Sequence, residues 1–168
     1  MRPLGIVLTL VGTMLTTHGA FAQRDADSKM NGDAYHVGSS GVYQQNAYEN
    51  AQTLTYYAEQ GNSVPKETIK AHAAQIRQNV DFSNKELAVL ETKAKTDKTV
   101  AQHLTALKEH HAEALTACGM AEECAELDAN SATLSMCCID MATHLKAAKS
   151  EHDKLAKYLK VSPMPKVK

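Results

Sequence analysis

Between Pro65 and Pro163 the chain contains no proline, and Gly119 is its only glycine after Gly61. Nearly a hundred residues without breakers, rich in Ala, Lys, Glu and Leu, satisfy their backbone most simply as helices, and the composition gives no support to a sheet. The chain has no Trp and only two Phe, so any core must be aliphatic. Its length suits one domain around a single core.

Apolar spacing divides this stretch. The clearest stripe is Ile69, Ala73, Ile76, Val80, Ser83, Leu87, Leu90 and Ala94, at alternating steps of four and three. Ser63 is the expected N-cap of that helix, with Pro65 in its first turn. Before it, a short first helix is expected from about Tyr43 to Gln60, with Tyr43, Ala47, Ala51, Leu54 and Ala58 inward and Gly61-Asn62-Ser63 as the turn. A third helix, capped by Thr96 or Asp97, carries Val100, Leu104, Leu107, His111, Ala114 and Cys118. A fourth, starting near Asn130 or Ser131, carries Leu134, Cys138, Met141, Leu145, Ala148, His152, Leu155 and Leu159. Short connections between four such helices predict an all-α, up-down-up-down antiparallel four-helix bundle with a short first helix, over residues 42–160.

The ends read differently. Arg2, the apolar run Leu4 to Leu15, and Ala20-Phe21-Ala22 before Gln23 form a secretory signal, residues 1–22. Removing it leaves about 146 residues and places the mature protein in the periplasm or outside the cell. Residues 23–41, with Asp25, Asp27, Asn31, Gly32, Gly38 and Gly41, read as a disordered linker. Residues 161–168 read as a disordered tail. The full chain has 18 basic and 19 acidic residues, a balance that favours neither nucleic acid nor, after signal cleavage, a membrane as partner.

The chemistry lies in eight His, four Cys and seven Met. If the last two helices turn back on each other near residue 128, residues whose numbers add to about 255 share a height. His103 then meets His152, His111 meets His144, Cys118 meets Cys137 or Cys138, and Met120 meets Met136. His72 lies at the depth of Cys118, and Met141 one turn deeper. Imidazole, thiolate and thioether in one layer suit Cu(I), and two Cys with two His suit tetrahedral zinc. Cys118, Cys137, Cys138, His72 and Met141 are therefore the candidate main site, and His111, His144, His103 and His152 accessory ones. Because these ligands must lose protons to bind, binding is expected to fail at mildly acid pH.

An even count of cysteines in an exported chain also allows disulfides without any metal. Cys118 would join Cys137 or Cys138, and Cys124 the one left over, giving a stapled structural or interaction bundle whose protein partner the sequence does not name. A third possibility is redox chemistry at the adjacent Cys137-Cys138 pair. Familiar enzyme signatures are absent. There is no Cys-x-x-Cys-His, no pair of Glu-x-x-His repeats, no Gly-rich phosphate loop, no His-Glu-x-x-His and no Gly-x-Ser-x-Gly, and His110 with Glu113 gives a single His-x-x-Glu. No catalytic constellation can be assembled.

An export signal, a small helical bundle and inward cysteines such as Cys118 and Cys138 together resemble the bacterial copper-storage bundles, over roughly Ser63 to Leu159. Those proteins line their cores with many cysteines, often spaced Cys-x-x-x-Cys. Here there are four, with histidines in place of most of the rest. The resemblance thus implies one or a few ions, held for buffering or transfer.

Overall fold

A computed structural model describes residues 32–60, 64–127 and 131–161, and every regular element among them is helical. Four long helices, α1 (Gly32–Glu59), α2 (Lys66–Leu87), α4 (Lys98–Glu126) and α5 (Ser131–Tyr158), make the bundle. A 3-10 turn, Ala88–Leu90, and the one-turn helix α3 (Glu91–Ala94) carry α2 toward α4. The expected signal segment, the linker up to residue 31, the turn at residues 61–63 with the expected cap Ser63, the α4–α5 turn at residues 128–130 and the tail from residue 162 lie outside the described residues.

Helix α2 buries Ile69, Ala73, Ile76, Val80, Ser83 and Leu87, the stripe its spacing implies, and Leu90 extends that stripe through the 3-10 turn. Pro65 stands at its cap position, and the Pro65 carbonyl accepts from the amides of Thr68 and Ile69. Asp97 caps α4, its carboxylate accepting from the amides of Thr99 (3.0 Å) and Val100 (3.2 Å). Gly119 does not end α4, which runs on to Glu126.

The expectation for the first helix is corrected. Helix α1 begins at Gly32, not Tyr43, and at 28 residues it is as long as α5. Residues 32–41, assigned from sequence to a linker, are its first three turns. Its buried face is Val37, Ser40, Gln44, Ala47, Ala51, Leu54 and Ala58, a seam of threes and fours built largely from small or polar residues. Tyr43 lies beside that seam, its ring centroid 5.2 Å from that of Phe82. Gly and Ser have poor intrinsic helix propensity, and here packing overrides it. A Cβ on Gly41 would lie 2.8 Å from Cε1 of the buried His152. The glycine that looks like a linker residue is there for close approach.

Gly41→Ala is therefore expected to destabilise the fold by about 1–2 kcal/mol, the overpacking cost outweighing the roughly 1 kcal/mol that alanine gains in helix propensity. Gly119→Ala, where a Cβ meets nothing within 4 Å, should instead gain up to about 1 kcal/mol. Urea unfolding of the two variants should move the midpoint in opposite directions.

Side-chain contacts order the helices. Between α1 and α2, His36 meets Glu86, Ser40 meets Ser83 and Asn50 meets His72. Between α2 and α4, His111 meets Asn84, Arg77 forms a two-pronged pair with Glu122, and Lys66 and Lys70 reach Glu126. Helix α5 meets α4 through His103 with Glu151, and α1 through Thr55 with the Cys138 carbonyl. The core has two apolar sections. One surrounds Leu54, Ile69, Ile76, Leu145 and the sulfur residues, and the other surrounds Val37, Leu87, Leu90, Leu107 and Leu155. No described helix is long and apolar enough to cross a membrane.

Candidate metal centre

All four cysteines gather in the apolar section nearest the α4–α5 turn, and all four are free thiols. Cys118, Cys138 and Met141 are fully buried, Cys137 is nearly so, and Cys124 is half-buried at the edge. Sγ of Cys124 lies 4.0 Å from Sγ of Cys137. Adjacent residues on a helix point about 100° apart. With Cys137 turned to Cys124, Cys138 is turned into the core, in the same buried cluster as Cys118. Cys118 donates weakly to the Ala73 carbonyl at 3.7 Å.

This setting favours the protonated thiol at Cys118, Cys137 and Cys138. Burial pushes Cys138 up to about 12, helped by the neighbouring Cys137, Cys118 and Cys124. Burial likewise raises Cys118 to about 11, with the Arg77 guanidinium opposing part of the shift. Cys137 is raised by burial first and by Cys124 second. Such thiols are poor nucleophiles in the absence of a metal, because the thiolate is the reactive form. A cation that replaces the protons can still bind them. An ion about 2.3 Å from each of two sulfurs 4.0 Å apart subtends an angle of roughly 120°. A disulfide needs the same atoms to close to about 2.05 Å.

The structure places the other candidates elsewhere. His72 does not face the thiols: its Nδ1 is 2.9 Å from Asn50 Oδ1, its ring lies near Tyr57, and partial burial lowers its pKa. It neighbours Ala73, which does face Cys118, so one residue of rotation turns it to the α1 side. His144 meets His110, with ring centroids 5.9 Å apart, and Asp140 at 3.5 Å, where the sequence pairing chose His111. His111 is buried with Nδ1 on Asn84 Oδ1 at 2.8 Å. His103 binds Glu151 at 2.9 Å, where the pairing chose His152. His152 is buried and donates from Nε2 to the Val37 carbonyl at 2.8 Å. Met120 and Met136 are both more than half exposed.

These displacements share a cause. The His103–Glu151 and His110–His144 contacts fall within a residue of the expected heights, but each residue also turns the side chain by about 100°, so a slip of one exchanges the inward member of an adjacent pair. Among the described residues, no three His, Cys, Asp or Glu side chains stand together as a group that could hold a metal ion. The pair of sulfurs 4.0 Å apart includes Cys124, which the sequence admits only as a disulfide mate. The 124–137 contact is symmetric about residue 130 or so, whereas 103–151 and 110–144 are symmetric about residue 127, so no single turn centre predicts all three pairs. No protein-family model matches the chain, and neither a curated protein nor a solved structure does.

Proposed function

We propose that this protein is an exported, up-down-up-down four-helix bundle that binds a soft metal ion through cysteine sulfur at its α4–α5 end, for buffering or transfer of one or a few ions. The observation that carries this reading is the Cys124–Cys137 pair, two unbonded thiols 4.0 Å apart at the edge of a buried cluster holding Cys118, Cys138 and Met141. The antiparallel frame is supported by the interhelical contacts, in which residue numbers rise on one helix as they fall on its neighbour. Copper(I) is the first choice and zinc the second. Zinc in a structural site takes four ligands, whereas soft thiolate and thioether donors select Cu(I). The pair at the edge acts as the entry point, with Cys118 and Cys138 as deeper thiols and Met141 as an optional thioether.

One observation favours a second reading, a metal-free bundle stapled for a structural or protein-binding role. Cys124 and Cys137 lie on different helices and need close by only about 2 Å to form a disulfide. Such a short loop would contribute about 3 kcal/mol at most. Thiol titration in denaturant, with elemental analysis of the same protein recovered from its exported compartment, separates the two. Four free thiols with bound copper are expected, whereas disulfides without metal would overturn the metal reading.

A further inference from the structure

Three pairs of donor side chains meet along the seam between α4 and α5. His103 meets Glu151 at 2.9 Å, His110 meets His144 with ring centroids 5.9 Å apart, and Cys124 meets Cys137 at 4.0 Å. On α4 these are positions 103, 110 and 124, and on α5 they are 137, 144 and 151, all separated by seven or fourteen residues. Seven residues return a side chain to the same helix face to within about 20°. The histidine pair therefore shares its seam with the thiol pair, and His144 stands roughly 10 Å from Cys137 along the axis.

The middle pair is the one left open. His103 is engaged by Glu151, whereas among the described residues neither His110 nor His144 forms a hydrogen bond. Both rings are half-buried, so their nitrogens stay within reach of an ion from solvent. Asp140, one turn before His144 on α5 and mostly exposed, places Oδ1 3.5 Å from His144 Nε2. Protein hydrogen bonds span about 2.7–3.2 Å, so this is a looser contact. It matches the spacing of two ligands on one tetrahedral ion, about 3.4 Å for bonds of about 2.1 Å. Two imidazoles on such an ion have ring centres about 5.2 Å apart, so the His110 ring needs to approach by only about 0.7 Å. As the side chains stand, the three groups do not yet enclose an ion. A turn of the half-buried His110 ring closes them without moving backbone.

We propose that His110, His144 and Asp140 form a second metal site, for a borderline divalent cation, Zn(II), bound at His144 Nε2, Asp140 Oδ1 and a ring nitrogen of His110, with water completing the tetrahedron. The ion class follows from the donors. Imidazole suits Zn(II) and a carboxylate oxygen can complete its ligand set, whereas Cu(I) is drawn to the sulfur of the thiol cluster. Asp140 supplies one negative charge, and the site opens to solvent, so a divalent ion keeps water on its open side and avoids the penalty of full burial. Two ions of different character are thus sorted along one seam. The site goes beyond the thiol reading and does not depend on it.

The test is a Zn(II) titration of the whole protein, with the histidine rings followed by 15N NMR. Zinc is expected to shift the ring signals of His110 and His144 together as a single equivalent binds. His144→Ala should abolish that equivalent. Asp140→Asn should weaken it by roughly tenfold or more, since loss of a partner even outside the ligand shell costs about that much. The double variant Cys124→Ala, Cys137→Ala should keep it, so failure of the thiol reading and failure of this one are read separately. Zinc that shifts only one of the two rings, an equivalent that survives His144→Ala, or an affinity unchanged by Asp140→Asn would overturn the site. So would zinc that goes to the thiols alone. If a variant does not fold, the ring signals of the unmodified protein decide.

Discussion

Replacing Cys124 and Cys137 together by alanine is expected to weaken Cu(I) binding by about a hundredfold or more, equivalent to about 2.7 kcal/mol. The magnitude follows from their position. Cys124 is the half-buried member of the cluster, and its partner at 4.0 Å supplies the second sulfur without rearrangement of the backbone. Removing only Cys118 should leave the edge pair intact and cost less, because that thiol is held protonated by burial and faces the Ala73 carbonyl. Competition titrations at several pH values supply a second check. A thiol raised to about 11 or about 12, as Cys118 and Cys138 are, stays protonated until metal displaces its proton. Apparent affinity should therefore rise with pH, by roughly tenfold per unit for each thiol deprotonated on binding, and fall toward mildly acid pH. A flat profile with unchanged affinity in the double variant would place the copper elsewhere.

Met141→Ala should cost about 2–5 kcal/mol of folding stability, while Met141→Leu should cost less than about 1.5 kcal/mol. Met141 is fully buried in the section of core that also holds Leu54, Ile76, Cys138 and Leu145. Truncation removes apolar contacts and leaves a cavity in a bundle whose helices are already closely spaced by small residues, so there is little freedom to collapse into it. Leucine restores most of the volume. Urea unfolding without metal measures both, and equal losses for the two variants would contradict the packing argument.

How much of this was legible depended on what each residue had to satisfy. The α2 seam from Ile69 to Leu90 could be read position by position, because strong apolar residues recur at the helical period and no breaker interrupts them. Asp97 was legible as one of two cap candidates, since a carboxylate ahead of an apolar-periodic run can satisfy free amides at the start of the helix. The first turns of α1 were not. Gly38, Ser40 and Gly41 carry the local signature of a linker, and only the approach of α5, with His152 against Gly41, reveals why small residues stand there. Histidine pairing was half legible: His110 and His144, and His103 and Glu151, meet within one residue of the expected heights.

By itself the sequence determined that this chain would be helical, where α2, α4 and α5 would bury their faces, and that sulfur and imidazole would concentrate on α4 and α5. Those properties are local, set by backbone propensity and by a period of 3.6 residues. Tertiary structure alone decided that α1 reaches back to Gly32, that Cys124 rather than Cys118 comes close to Cys137, and that His111 and Gln44 are buried with unpaired atoms. These depend on the rotation of each helix about its axis, where a single residue turns a side chain from one neighbour to another, and that rotation is fixed by the packing of all four long helices together.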